Sequence, residues 1–384
     1  MARLKVAFVV TSDWSAATSW SATATRMAEA LPDESTDVEV IGPLREPFRL
    51  GGRIRRRVAD TFGRTYQHYR HPRVARAYAR QVAQRLEGSS ADVVLSVGAV
   101  PVAYLETRVP IVLWADATFA SLVGYYPSYE GITRRTLAGG YAMDRAVLER
   151  AAAAIFASDW AAASAIRDYG VDPPRVHVVP YGGNLAGLGD LAEVRTMIKS
   201  RPRDECRLLF VGFDWARKRG EDALEIARRL NDVGLASTLT IVGKGPRPPR
   251  ALPPYVRLEG LIGSATPSGR QRLRDLFSRS HLLLLPTSAE TFGIVLAEAS
   301  AHAVPSLATA TGGIPTAIRP GRNGALFGLA DVDAYCSYIQ RLFDHYEDEY
   351  VPLAEASFAE AADRLNWSTW GESVRRVLRS VANG

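Results

Sequence analysis

An α/β protein with two doubly wound parallel sheets is the fold class this sequence predicts, and three observations predict it. Short apolar runs of strand length alternate with helix-period segments almost from end to end. The alternation occurs twice, in runs of about 180 residues each, a usual domain size. A polar stretch near 190–204 separates the two runs.

In the first run, strands are expected at 4–10, 38–41, 93–96, 111–114, 154–157 and 176–179, as in LKVAFVV and IVLW. In the second they are expected at 208–211, 239–242, 256–258, 282–285 and 306–308. Helical periodicity fills the gaps, for instance at 21–31, 159–169, 221–230 and 293–303. Continuous apolar strands separated by helices indicate parallel sheets covered on both faces. PYGGN at 180–184 and RPRD at 201–204 carry the glycine and proline of an interdomain hinge.

Composition narrows the function. Hydrophobic residues make up 47% of the chain and charged residues 23%, which excludes wholesale disorder. Two cysteines, Cys206 and Cys336, cannot build a disulfide framework, so a reducing, cytoplasmic setting is expected. The apolar run after the first residues is shorter than a signal sequence, and no segment reaches the ~18–20 apolar residues of a membrane span.

The net charge of +6 is unevenly placed. Eleven arginines and one acid, Asp60, lie between Arg49 and Leu86. Such a cluster is either the solvated face of two arginine-rich helices or an attraction for nucleic acid, anionic lipid or an anionic substrate. The segment shows no nucleic-acid motif and no sustained apolar face for deep insertion. A soluble enzyme with optional weak attraction to an anionic inner-membrane surface is therefore expected.

In open parallel sheets, ligands bind beyond the carboxyl ends of strands. After the strand at 282–285 comes PTSAETFGIVLAE (286–298). Gly293 lets a ligand approach the backbone where a helix begins, and Glu298 lies ~9 Å further along that helix, at reach of ribose hydroxyls. Glu290 points to the other side of the phosphates. After the strand at 208–211 comes GFDWARKRG (212–220), whose Arg217 and Lys218 supply cations for a diphosphate. Lys218 is one of only four lysines in the chain.

These residues also carry a resemblance. SAETFGIVLAEA, the strand SLAT, TGGIPTAI, GRNGALF and FVGFDWARKRG resemble glycosyltransferase family 4, the retaining GT-B enzymes. SWSAT (19–23), VLWADATFASLVGYYP (112–127), FASDWAAASAIRDYG (156–170) and VHVVPYGGN (176–184) are similar to a bacterial branch of it, in collinear order. The resemblance implies two Rossmann-like domains facing across a cleft. The acceptor-binding domain would span 1–190 with a crossover helix at 366–384, and the donor-binding domain 191–365.

It further implies a metal-independent transfer from a nucleoside-diphosphate sugar, with no resident cofactor and a small molecule or glycan as acceptor. Glu290 would meet the sugar's hydroxyls and Glu298 the ribose. Thr291, Phe292, Gly293 and Ile294 would line the diphosphate, with Lys218 opposite and Gly212 opening the phosphate loop. Leu261 falls where backbone groups read the base, and Ser21 on the donor side of the first domain.

Departures from the family pattern matter. Phe213 stands where an arginine usually follows VG, so Arg217 is its expected substitute. The glycine-rich loop after the first strand is replaced by SDWSAAT (12–18), and Asp116 stands nearest the place of a missing histidine.

Plainer roles remain open for several residues. Asp116 with Thr118 reads equally as a helix cap, and Ser21 and Thr23 as ordinary first-turn residues. Asp331 and Asp333 imitate a metal-binding DxD but read as a cap. His177, His281 and His302 lack metal-ligand spacing and read as structural. Beside the transferase stand two other functions: a GT-B relative that couples or epimerises an activated sugar, and, remotely, a nucleic-acid-binding protein using Arg49–Arg85.

Overall fold

The computed structural model describes residues 3–11, 19–185, 187, 189–246 and 251–384, with 19–22 described by backbone only. The 12–18 loop singled out above lies outside these residues. The chain divides into two compact units, Met1–Val179 with Trp370–Gly384, and Pro180–Thr369.

The first unit holds a six-stranded parallel sheet of β1 (Leu4–Val9), β2 (Thr36–Ile41), β3 (Val93–Val97), β4 (Ile111–Ala115), β5 (Ala153–Phe156) and β6 (Val176–Val178), in the order β2-β1-β3-β4-β5-β6. The inner strands are buried on both faces, which explains their unbroken apolar runs. The last helix, Trp367–Ala382, places Arg375 in this unit, where it pairs with Asp33 at 2.9 Å and donates to the Ala30 carbonyl at 2.7 Å.

The second unit repeats the plan. Its strands are β7 (Cys206–Gly212), β8 (Ser237–Gly243), β9 (Val256–Gly260), β10 (Leu282–Leu285), β11 (Ser306–Thr309) and β12 (Gly324–Phe327). They run parallel in the order β12-β11-β10-β7-β8-β9. The direction of winding therefore reverses between β7 and β10, and the crevice beyond their carboxyl ends is the switch point where such sheets bind ligands. Leu208, Phe210, Leu282, Leu284 and Leu307 form the centre of its core with the helix Gly220–Asp232.

Three differences from the sequence reading have physical causes. β12 goes unrecognised as a strand because GALF is short and opens on a glycine. The polar stretch near 190–204 contains a helix, Leu191–Lys199, capped by Asp190 and holding Val194 and Ile198 in the core. Arg201 is no hinge residue: it is buried in the second unit and donates to the carbonyls of Ala303, His302 and Ser278. The unit boundary accordingly falls at 179/180. Residues 180–190, read as the end of the first domain, belong to the second unit because Tyr181 packs edge-on against Phe292 and Trp367.

Candidate active site

The loops that follow β7 and β10 meet at the switch point of the second sheet. The first turns on Asp214, whose carboxylate accepts the Arg217 N–H at 3.2 Å and whose carbonyl accepts the Lys218 N–H at 2.9 Å. Trp215 anchors the turn by packing edge-on against Phe210 and donating to Glu221 at 3.1 Å. The facing loop then clamps it. The Arg217 carbonyl accepts from the Ser288 N–H at 2.9 Å, the Ser288 hydroxyl at 3.0 Å and the Thr287 hydroxyl at 3.1 Å. Arg217 and Lys218 are thus fixed to the β10 loop through the main chain before their side chains interact.

Those side chains converge on Glu290. Lys218 donates to its carboxylate, and Arg217 reaches the same oxygen at 3.4 Å. Glu290 is 9% exposed, and Lys218 is buried with it. Burial by itself raises a carboxyl pKa, but the Lys218 and Arg217 cations outweigh it and hold Glu290 below the usual carboxylate range. The Arg217 Nε also lies 3.7 Å from the half-exposed Asp214 carboxylate, so two cations face two carboxylates, of which only Glu290 is buried. Both cations are thereby held at a largely dehydrated place where an anionic ligand could draw on them.

Glu290 is also held by its backbone, its carbonyl accepting the Gly313 N–H at 3.0 Å. Gly293, at φ +85°, turns the chain from Glu290 into the helix Ile294–Ser300. An added Cβ there would lie 3.1 Å from Leu296 and 3.3 Å from the Glu290 Cγ. The residue type is dictated by geometry beside the carboxylate.

Glu298, half-buried in that helix, has the opposite surroundings. Burial raises its pKa to about 7, with only the N–H groups of Asn184 and Leu185 pulling it down. Phe292 is fully buried, while Thr291 and Ile294 are half-buried. Gly212 ends β7, and Leu261 is exposed in the loop after β9. Phe213 is exposed beside them, with the Lys244 ammonium 3.7 Å from its ring centre. Arg217, not the residue after VG, is the arginine that enters the cluster.

Other sequence-predicted residues belong to other elements. Asp116 belongs to the first unit, just after β4, close enough to Tyr129 to add to the rise in phenol pKa that burial drives. Thr118, not Asp116, caps the following helix by accepting the Ser121 N–H at 3.1 Å. Ser21 falls in the helix Ser19–Ala30, but its side chain is outside the described residues. Asp331 accepts the Ala334 N–H at 3.2 Å and is a cap. His281 is buried between the Arg207 N–H and the Pro202 carbonyl, and burial lowers its pKa to about 3. Among the described residues no group of three or more His, Cys, Asp or Glu could hold a metal ion.

The sequence reading missed Thr287 and Ser288, the hydroxyl pair that clamps Arg217. Their position directly after Leu282–Leu285 and Pro286 was the available signal. It also missed Asn184 and Leu185, whose N–H groups carry no side-chain signature.

The sequence matches Glycosyltransferase Family 4 over residues 21–186 and Glycosyl transferases group 1 over residues 205–345. Among curated proteins it is 31% identical to the D-inositol 3-phosphate glycosyltransferase of Acidothermus cellulolyticus, over 60% of this chain and 54% of that one. It is 29% identical to the enzyme of the same name from Mycobacterium marinum, over 63% of this chain and 53% of that one. The chain spans about half the length of the curated relatives it matches. Among solved structures, sucrose-phosphate synthase from Thermosynechococcus elongatus superposes with a TM-score of 0.71 at 18% identity, covering 99% of both chains. Anabaena HepE in complex with UDP gives 0.67 at 15% identity, covering 98% of this chain and 100% of that one. At such identities the likeness shows the fold, which is GT-B.

Proposed function

Because the chain belongs to the family 4 glycosyltransferases, or glycosyl transferases group 1, we propose that it moves a sugar from a nucleoside-diphosphate sugar to an acceptor hydroxyl with retention of configuration. The observation that carries this reading is the convergence of Lys218, Arg217 and Glu290 at the switch point of the second sheet.

In this reading the bond between the anomeric carbon and the diphosphate oxygen breaks, and the diphosphate leaves with the electron pair. Lys218 and Arg217 compensate the charge that develops there. The free N–H groups at the start of Ile294–Ser300 add to them, but a helix of seven residues contributes little field, so the side-chain cations dominate. The acceptor oxygen bonds to the same face of the anomeric carbon, and its proton passes to a diphosphate oxygen.

Glu290 orients the sugar's hydroxyls, drawing on its two cations to stay ionised. Glu298 accepts from the ribose hydroxyls, while the backbone of Phe292 and Gly293 faces the diphosphate, with Thr291, Ile294 and Gly212 around it. The backbone near Leu261 reads the base. Asp116, and Ser21 on the donor side, are the groups proposed from the first unit. No divalent metal is required, since cationic side chains already supply the positive charge.

Incubation with UDP-, GDP-, ADP- and dTDP-sugars, with the product anomer assigned by NMR, tests this. HepE was crystallised with UDP and the curated relatives are named for D-inositol 3-phosphate, so a UDP-sugar and an inositol phosphate are the first pair to try. Release of nucleoside diphosphate with an α-linked product from an α-linked donor supports the reading. An inverted anomer, or an epimerised donor with no transfer, overturns it.

A further inference from the structure

The arginine-rich segment has a feature that its sequence conceals. In the helix Arg49–Thr61, only Gly52 and Ala59 are buried. Leu50, Ile54 and Val58 are 73%, 56% and 54% exposed, and Phe62 at the helix end is 77% exposed. Spaced four apart, they line up as one stripe on the helix surface. At 100° per residue, Gly52 and Ala59 centre about 130° from the middle of the stripe, so Leu50, Ile54 and Val58 face away from the body of the unit and Phe62 lies at the stripe's inner edge.

The contact side is unusually thin. Gly52 sits so close to the His68 ring that an added Cβ would come within 2.6 Å of it, and that ring is fixed by the Pro47 carbonyl at 2.8 Å. A helix of thirteen residues with two buried positions gains little from packing on its own unit.

Arginines 49, 53, 55, 56 and 57 are all exposed on the same helix. Arg49 pairs with Glu46 at 3.6 Å, while Arg53, Arg55, Arg56 and Arg57 make no ion pair among the described residues. By helical position, Arg53 and Arg57 flank one side of the apolar stripe and Arg55 the other.

Beside the first turn opens a cavity of about 460 Å³, lined by Phe48, Leu50, Arg49, Arg55, His71 and Arg73 and by no acidic residue. Partial burial, and then the charges of Arg55, Arg135 and Arg73, hold the His71 imidazole below its ordinary pKa.

We propose that the helix Arg49–Thr61 docks on an anionic lipid bilayer, with Leu50, Ile54, Val58 and Phe62 entering the headgroup–acyl boundary and the flanking arginines engaging lipid phosphates. Charge complementarity selects the partner. A polyanion such as RNA would use the arginines and leave four large apolar side chains in water, and a neutral apolar surface would leave the arginines unanswered. An anionic bilayer satisfies both sets at once. The absence of a sustained apolar face, expected from the sequence, does not hold: the stripe is broken along the chain by arginines but continuous on the helix surface.

Co-sedimentation of the full chain with vesicles tests this. Vesicles of equal parts phosphatidylglycerol and phosphatidylcholine bind the protein, pure phosphatidylcholine binds at least tenfold less, and salt weakens the interaction. Leu50→Gln with Ile54→Gln lowers the bound fraction at least tenfold at low salt, although every charge remains. Arg53→Gln, Arg55→Gln and Arg57→Gln together flatten the salt dependence. All these side chains are exposed, so thermal melting and donor hydrolysis stay as in the parent chain, and loss of donor hydrolysis would concern the proposed function alone. If the first pair unfolds the protein, Val58→Gln with Phe62→Gln makes the same test. No binding to anionic vesicles at low salt overturns the proposal. So does binding that the apolar substitutions leave intact, or RNA binding without vesicle binding.

Discussion

Lys218 donates to the Glu290 carboxylate across 72 residues of sequence, and the pair ties the loop after β7 to the loop after β10. Both partners are buried, and a buried ion is stable only while its partner is present. The pair also closes the switch point between neighbouring strands, so one contact serves both loop geometry and local charge.

Replacing Lys218 by alanine is expected to lower turnover by about 10²–10³-fold. It also destabilises the second unit by about 2–3 kcal/mol, less than for a fully orphaned buried charge because Arg217 still faces Glu290. Adding Glu290→Gln to that variant recovers the melting temperature without recovering turnover. A Lys218→Ala protein with near-parental turnover and an unchanged melting curve would return the diphosphate to Arg217.

Glu298 gives the second unit a pH dependence of definite sign. Its pKa in the folded chain is about 7, against 4.5 for an ordinary glutamate, so the folded state holds the proton more tightly. The associated stability is fully present below about pH 4.5 and is lost as the pH rises through about 7. Glu290, held low by its cations, contributes the opposite trend on acidification. Urea denaturation between these limits reads the slope, and Glu298→Gln flattens it. Above about pH 8, where this carboxyl is ionised, Glu298→Ala also weakens nucleoside-diphosphate binding by ~1.5–3 kcal/mol in calorimetry, through loss of a charged acceptor. Unchanged affinity would remove Glu298 from the ribose.

Activity is expected to survive excess EDTA. Transfer assays with and without chelator check this, and full loss restored by magnesium or manganese would contradict it. The expectation rests on cations already present beside Glu290.

Gly293→Ala is expected to cost ~1–2 kcal/mol for a left-handed backbone and to lower turnover at least tenfold by displacing Glu290. Gly321→Ala is the control: its φ is +76°, but an added Cβ there meets nothing within 4 Å. Equal effects of the two substitutions on turnover would show that strain alone, not the position of Glu290, is responsible.

The strands were legible because each buried run is apolar and bounded by turn residues, and Leu282–Leu285 was placed to the residue. Arg201 was not legible, since an arginine directly before a proline reads as linker until the carbonyls that surround it are known. The candidate site was legible only in part. Motif order named Lys218 and Glu290, but pairing across 72 residues is a product of strand order, which periodicity does not reveal. The stripe on Arg49–Thr61 was hidden for another reason. Four-residue spacing interleaved with arginine reads as charge along the chain, and exposure, unlike periodicity, belongs to the folded unit.

The pairing of Arg375 with Asp33 has a consequence for biosynthesis. The first unit is assembled from both ends of the chain, and 342 residues separate these two partners. At ~5–20 residues per second, a nascent chain that has already exposed Asp33 waits on the order of tens of seconds before Arg375 is made. During that interval the ribosome carries a first unit without its closing helix, and the second unit, continuous from Pro180 to Thr369, is the first that can be completed. A chain cut short before Trp370 would leave the earlier-made unit, not the later one, unfinished.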